Sequence, residues 1–64
     1  MAVTLDLSLD EARFLGEQLA RQLQEVDDEL VHTSSRPMQR GLAADSERLR
    51  QISQRLDAAI AAAT

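Results

Sequence analysis

The chain opens with a short stretch of alternating apolar and polar side chains. Residues 3–7 read Val-Thr-Leu-Asp-Leu, and a period of two is typical of a β-strand. No other segment alternates in this way, so a strand here would have to pair with a second copy or with the edge of another protein. The other interpretations are an extended arm that lies over the helices, with Phe14 beneath it, and a disordered segment. We predict an extended arm over residues 1–7 and leave its pairing open.

A long amphipathic helix is predicted to follow the arm. Ser8 and Glu11 have the S-x-x-E spacing of a capping box, in which each side chain accepts a hydrogen bond from the backbone N–H of the other residue. We therefore predict a helix over residues 8–32. Its apolar positions are spaced by three or four residues, which is the period of an α-helix. They are Ala12, Leu15, Leu19, Leu23, Val26 and Leu30.

A second helix is predicted after a short turn at residues 33–36. Pro37 suits the first turn of a helix, where its missing N–H does no harm, and the predicted helix runs over residues 37–62. Because the connection is short, we expect the two helices to lie antiparallel. The apolar positions of the second helix are Met38, Leu42, Leu49, Ile52, Leu56, Ile60 and Ala63.

Two features interrupt these patterns. Asp45 and Ser46 break the apolar stripe of the second helix, and in an antiparallel hairpin we expect them roughly opposite Gln22 and Leu23. They would either form a buried polar layer that fixes register and oligomeric state or leave Asp45 facing water. Gly16, inside the first helix, is expected to mark the close approach of another backbone.

The predicted fold class is all-α: an antiparallel two-helix hairpin with a short N-terminal extended arm, in a single domain of 64 residues. Two helices cannot enclose a core, and the apolar side chains that they leave uncovered mark an interaction surface. A second copy is the simplest cover, because two hairpins packed face to face form a four-helix bundle and two-fold dimers are the commonest oligomers. We therefore predict a coiled-coil-like homodimer. The predicted self-association residues are Leu15, Leu19, Leu23, Val26, Leu30, Leu42, Leu49, Ile52, Leu56 and Ile60.

Composition narrows the class of protein. The chain has no cysteine, one aromatic residue and a net charge of −4. Disulfides and thiolate metal sites are therefore excluded, and the acidic balance argues against a general affinity for nucleic acid or anionic membranes. Neither a signal peptide nor a membrane-spanning apolar run is visible. We expect a cytoplasmic protein with no membrane partner.

The charges are divided unequally between the helices. Residues 8–32 carry seven acidic and two basic side chains, whereas residues 36–63 carry three acidic and five basic ones. This complementarity favours the first helix lying beside the second, within one chain or between two chains.

One motif has the spacing of a pair of metal ligands. Glu29 and His32 form an E-x-x-H, which binds metal in di-iron bundles when facing helices supply further carboxylates. The pair lies in the last turn before the connection, where the second helix offers Gln39 and Arg40 instead of a carboxylate. We interpret His32 as a side chain favoured by the dipole at a helix C-terminus, and we predict no bound metal and no cofactor.

The other polar side chains give little support to an enzyme or to a nucleic-acid-binding protein. The single histidine has no second base beside it, and there is no glycine-rich phosphate loop, so we expect no enzymatic activity. The arginines of the second helix alternate with acidic residues, and we expect them to form interhelical ion pairs rather than to contact nucleic acid. They are Arg36, Arg40, Arg48, Arg50 and Arg55.

The order of these pieces resembles that of short bacterial helical-hairpin proteins of unassigned function. Such proteins open with an alternating apolar segment and a capped helix start, and they close with an Arg- and Glu-rich helix that carries spaced leucines. The matching segments are residues 8–12, 29–34 and 49–56, and Ser34 stands where an acidic residue is usual. The resemblance implies a helical hairpin and no particular biochemical activity.

The predicted function is a non-enzymatic interaction module that self-associates through its apolar face. The alternative is a small regulator or adaptor that binds nucleic acid or another protein.

Overall fold

The structure is a computed structural model that describes residues 1–64, and it contains two α-helices and no strand. Helix α1 spans Leu9–His32 and helix α2 spans Arg36–Ala63. The two helices pack against each other as an antiparallel hairpin whose longest dimension is 42 Å. The predicted all-α hairpin is confirmed.

Helix α1 begins with the predicted capping box. The backbone N–H of Glu11 donates to the Ser8 hydroxyl (3.1 Å), and the backbone N–H of Ser8 donates to Oε1 of Glu11 (2.9 Å). These two bonds satisfy N–H groups that the first turn of a helix would otherwise leave unpaired. The backbone hydrogen bond from Ser8, aided by the Ser8 hydroxyl, holds the pKa of Glu11 below its ordinary value. Ser8 is thus the N-cap, and the helix proper starts one residue after the predicted position.

The connection between the helices is three residues long. The backbone N–H of Thr33 donates to the Glu29 carbonyl at 2.9 Å and ends α1. Pro37 lies in the first turn of α2, as the sequence indicates, although α2 begins one residue earlier than expected and ends one residue later. The Gln39 side chain donates to the Thr33 carbonyl at 2.9 Å and ties the start of α2 to the end of α1.

The helices meet along a line of positions that recurs every seven residues. We call this line the seam. Its members are less exposed than most of their neighbours, and spacings of three and four residues alternate without interruption. On α1 and its C-cap they are Leu9, Ala12, Gly16, Leu19, Leu23, Val26, Leu30 and Thr33; on α2 and its N-cap they are Ser35, Gln39, Leu42, Ser46, Leu49, Ser53, Leu56 and Ile60.

The seam differs from the apolar stripes that the sequence predicts. The stripes follow the 3.6-residue period of one straight helix, whereas two helices that stay in contact follow a 3.5-residue period. Leu15, Met38 and Ile52 therefore fall outside the seam, although the stripes include them. Gly16 and Ser53 fall inside it, although the stripes leave them out.

Burial in the hairpin is shallow. Only Val26 (6% exposed) and Ser46 (3% exposed) are buried. Gly16 faces the side chain of Leu56, whose Cδ2 would lie 3.6 Å from a Cβ added at the glycine. The expected close approach of another backbone at Gly16 is wrong, because a leucine side chain fills that space.

The N-terminal arm, residues 1–7, has no regular secondary structure. Leu5 and Leu7 line a groove of about 180 Å³ together with side chains from the start of α1 and the end of α2. The arm thus leans on the open end of the hairpin. Phe14 does not line this groove and is largely exposed, so the expectation that it lies beneath the arm is wrong. Phe14 points outward because it lies far from the seam around α1.

Candidate interaction surface

One side of the hairpin carries three of the large apolar side chains that the seam does not use, whereas Phe14 and Val31 lie elsewhere on α1. We call it the open face. It consists of the residues that directly precede every second seam residue on each helix, so its members are seven residues apart. They are Leu15, Gln22 and Glu29 on α1, and Met38, Asp45, Ile52 and Ala59 on α2. Gln22, Asp45 and Ile52 line one shallow groove of about 240 Å³, whose floor includes Val26 and Leu49. The two helices therefore present these positions to the same side.

The open face exposes three large apolar side chains. Leu15 is 37% exposed, Ile52 is 46% exposed and Met38 is 58% exposed. Leu15 and Ile52 lie toward the end of the hairpin that carries the arm, and Met38 lies next to the loop. Apolar area that remains in water on a small helical protein marks a place where another surface can bind.

The ten predicted self-association residues divide into two groups. Leu15 and Ile52 lie on the open face, where a second molecule could reach them. The other eight lie in the seam, where they hold α1 to α2 within one chain. They are Leu19, Leu23, Val26, Leu30, Leu42, Leu49, Leu56 and Ile60. The sequence does not separate the two groups, because both belong to one apolar stripe on each helix.

The opposite side of the hairpin carries a polar cluster. The Ser46 hydroxyl donates to Oδ1 of Asp27 at 2.8 Å, and Nη2 of Arg50 donates to Oδ2 of the same carboxylate at 3.0 Å. Asp27 thus accepts one hydrogen bond at each oxygen and joins the two helices. Because both partners lie on α2, this cluster fixes how far α1 slides along α2.

The cluster corrects the expected register at Ser46. Ser46 lies opposite Asp27, about one helical turn nearer to the loop than the predicted partner Leu23. Asp45 is exposed and lines the open-face groove with Gln22. The sequence leaves two interpretations of Asp45 and Ser46, a buried polar layer or exposure of Asp45 to water. Each applies to one residue: Ser46 is a buried polar group, and Asp45 faces water.

The arginines of α2 have different surroundings. Arg50 forms the one ion pair of the structure, with Asp27. Arg36 and Arg40 line a groove of about 410 Å³ near the loop, and Arg48 lines the open-face groove. The expectation of interhelical ion pairs is thus confirmed within the hairpin for Arg50, and the other four arginines form no ion pair within one chain.

Charged side chains border the open face on both helices. The bordering positions are Glu11, Gln18, Glu25 and His32 on α1, and Gly41, Arg48, Arg55 and Ala62 on α2. The α1 border thus carries two carboxylates and no arginine, whereas the α2 border carries two arginines and no carboxylate. A surface that approaches the open face meets negative charge along one edge and positive charge along the other.

The predicted E-x-x-H motif lies in the last turn of α1. Nδ1 of His32 donates to the backbone carbonyl of Asp28 at 2.7 Å, so one ring nitrogen serves the helix terminus. No group of three or more His, Asp or Glu side chains is positioned to hold a metal ion. The structure therefore adds no third ligand to Glu29 and His32.

The chain exposes more surface than a compact protein of its size. Its accessible surface is 5368 Å², whereas a compact monomer of 7.1 kDa exposes about 4,100 Å². Part of the excess of roughly 1,300 Å² belongs to the extended arm. The rest of the excess area lies on the hairpin. The total excess is of the same order as the roughly 800 Å² that each partner buries in a stable interface.

Comparison with models of protein families, with curated proteins and with solved structures found no match to this chain. The resemblance to short bacterial helical-hairpin proteins therefore stays a prediction. Neither helix is long and apolar enough to cross a membrane.

Proposed function

We propose that the protein is a non-enzymatic interaction module whose open face binds a second copy of the same chain. The observation that carries this proposal is the exposure of Leu15 and Ile52 on one side of the hairpin. Two copies packed through this side would form a four-helix bundle, in which the partly exposed seam leucines also become buried.

The size of the uncovered surface supports self-association. A chain of 64 residues rarely gains enough free energy from one core unless disulfides, a metal or a partner add to it. This chain has no cysteine, and only two of its residues are buried. A second hairpin would cover the groove between Gln22 and Ile52, whose floor includes Val26 and Leu49, and supply the missing core.

Analytical ultracentrifugation over a hundredfold range of concentration tests this proposal, with helicity followed by circular dichroism on the same samples. We expect a dimer that dissociates on dilution. Ile52→Gln removes apolar area twice in each dimer and is expected to raise the dissociation constant by about tenfold or more. Leu15→Gln is expected to act in the same direction.

Val31→Gln is the matched control. Val31 is 79% exposed but lies away from both the seam and the open face, so its replacement should leave the dissociation constant unchanged. A wild-type chain that stays monomeric and helical at every concentration would overturn the proposal. Equal weakening by Ile52→Gln and Val31→Gln would show that the open face is not the contact surface.

A further inference from the structure

The open face also indicates how two copies are arranged. We propose that the two hairpins pack about a two-fold axis parallel to their helices, so that both loops lie at the same end of the bundle and α1 of each chain lies beside α2 of the other. This inference rests on the proposed self-association and names the geometry of the partner. The alternative is an axis that runs across the helices.

The two arrangements bring different helices together. An axis across the helices places α1 beside α1 and α2 beside α2, with the loops at opposite ends. An axis parallel to the helices places α1 beside the other chain's α2. The two copies of each residue then lie at the same height along the bundle. The side chains that border the open face therefore meet different neighbours in the two cases.

The charges that border the open face favour the parallel axis. In the crossing arrangement the α1 border, with Glu11 and Glu25, would face the other chain's α1 border, and the α2 border, with Arg48 and Arg55, would face the other chain's α2 border. Like charges placed together oppose association. In the parallel arrangement each acidic border of α1 faces a basic border of α2.

The register within one hairpin identifies the pair that would meet. Gly16 lies opposite Leu56, and Asp27 bonds Ser46, so Glu25 and Arg48 lie at the same level on the two helices. A two-fold axis parallel to the helices keeps that level. Glu25 of one chain is then placed against Arg48 of the other, and the symmetry forms this pair twice.

The distribution of apolar side chains favours the same arrangement. The end of the open face near the arm carries Leu15, Ile52 and Ala59, whereas the part nearer the loop carries Glu29 and Asp45, with Met38 next to the loop itself. The parallel axis places the apolar arm ends of the two chains on each other, and it also brings Glu29 of one chain to the level of Asp45 of the other. The crossing axis would place the arm end of one chain against carboxylates of the other and leave the apolar groups poorly covered.

A charge exchange within one chain tests the proposed pair. We expect Glu25→Arg and Arg48→Glu each to weaken dimerisation by roughly tenfold, because two attractive pairs become repulsive in each dimer. The double variant restores opposite charges across the interface and is expected to dimerise within about threefold of wild type. A double variant as weak as the single variants would overturn the proposed pairing. Single variants that dimerise as tightly as wild type would also overturn it, because the crossing arrangement has no Glu25–Arg48 pair to lose.

Distance measurements between single spin labels test the arrangement directly. The chain has no cysteine, so Ser34→Cys places one label in each loop and Ala61→Cys places one at the other end. In the proposed dimer two Ser34 positions lie within about 15 Å of each other, because packed helices are 8–10 Å apart. A mixed dimer, labelled at Ser34→Cys in one chain and at Ala61→Cys in the other, is expected to give a separation of about 35 Å, nearly the length of α1.

The outcomes separate the two proposals. Short loop-to-loop distances with long mixed distances support the inference. A dimer with long loop-to-loop distances and short mixed distances overturns the inference and leaves the proposed self-association intact. A chain that sediments as a monomer overturns the self-association, and the inference with it.

Discussion

At the scale of single residues, the serines of the seam illustrate how one side chain can be used in two ways. The Ser46 hydroxyl is buried and donates to Asp27. The Ser53 hydroxyl is buried and has no hydrogen-bond partner in the hairpin. A small side chain is needed at both positions to let the helices approach, but only at Ser46 does the hydroxyl itself bond across the seam.

Alanine substitutions are expected to separate these two serines. Ser46→Ala removes a cross-helix hydrogen bond and should lower the free energy of unfolding by about 1 kcal/mol. Ser53→Ala removes a buried hydroxyl without a partner and should leave the free energy unchanged or raise it slightly. Urea denaturation followed by circular dichroism, at one fixed protein concentration, measures both. Equal losses in the two variants would contradict the different surroundings described here.

At the scale of elements, each helix contains one glycine in an otherwise regular run. A Cβ added at Gly16 would make only an ordinary contact with Leu56, and one added at Gly41 would meet nothing within 4 Å. Both glycines lie within helices, where the conformational freedom of glycine lowers the stability of the helix relative to alanine. No neighbouring group comes so close to either position that only glycine would fit.

Replacing either glycine with alanine is therefore expected to stabilise the hairpin. Gly41→Ala should raise the free energy of unfolding by up to about 1 kcal/mol, which is the helix propensity difference alone. Gly16→Ala should gain a similar amount, because the added methyl group also packs on Leu56. If thermal denaturation shows that Gly16→Ala destabilises the chain while Gly41→Ala stabilises it, the seam is tighter at Gly16 than the distance to Leu56 indicates.

The start of α1 also depends on pH. Hydrogen bonds from Ser8 lower the pKa of Glu11 in the folded chain, so the ionised carboxylate stabilises the helix above its ordinary pKa. That stabilisation is lost as the pH falls through the lowered pKa of the folded state. Glu11→Gln retains an acceptor for the Ser8 N–H but carries no charge.

We therefore expect wild-type helicity to fall more steeply than that of Glu11→Gln between about pH 5 and pH 3. Circular dichroism measured on both chains through this range tests the expectation. The two chains differ only at residue 11, so the difference between the two curves isolates Glu11. Curves that are parallel throughout the range would mean that the capping box gains nothing from the charge.

At the scale of the whole molecule, the open face is divided by one carboxylate. Asp45 lies in the groove beside Gln22 and Ile52, where a second hairpin would have to cover it. In the proposed dimer the two copies of Asp45 also lie at the same end, together with those of Glu29. Asp45 is thus expected to limit the affinity of self-association.

Asp45→Leu is expected to tighten the dimer by about tenfold or more, because it removes a charge and extends the apolar area. Sedimentation equilibrium at low concentration, where the wild-type dimer dissociates, measures the change. Glu47→Leu is the control, since Glu47 lies on the same helix but away from the open face. A similar gain from both variants would indicate nonspecific association of any added leucine.

The sequence predicts the elements of this fold well because their ends depend on local chemistry. Ser8 with Glu11 marks the start of α1, and Pro37 marks the first turn of α2. The division of each apolar stripe into seam and open face is not local, because it depends on two helices following each other. A search for a seven-residue repeat that allows Gly and Ser as members would have found the seam.

Register and function depend on information that periodicity lacks. The position of Ser46 opposite Asp27 follows from one hydrogen bond between the helices, and no pattern on a single helix specifies it. The sequence identifies Leu15 and Ile52 as apolar stripe residues. Only the packed structure separates them from the seam residues and places them on the open face.

The three-residue connection between the helices has a kinetic consequence. It keeps the end of α1 close to the start of α2. The first hydrogen bonds between the helices therefore close only a short loop, such as the bond from the Gln39 side chain to the Thr33 carbonyl. Helical proteins dominated by such local contacts fold in microseconds to milliseconds. Protein association at micromolar concentration takes about a tenth of a second to ten seconds, because typical rate constants are 10⁵–10⁷ M⁻¹s⁻¹. A chain that opens therefore closes again well before it meets a partner, and the fraction of time that it spends closed sets the apparent affinity for that partner.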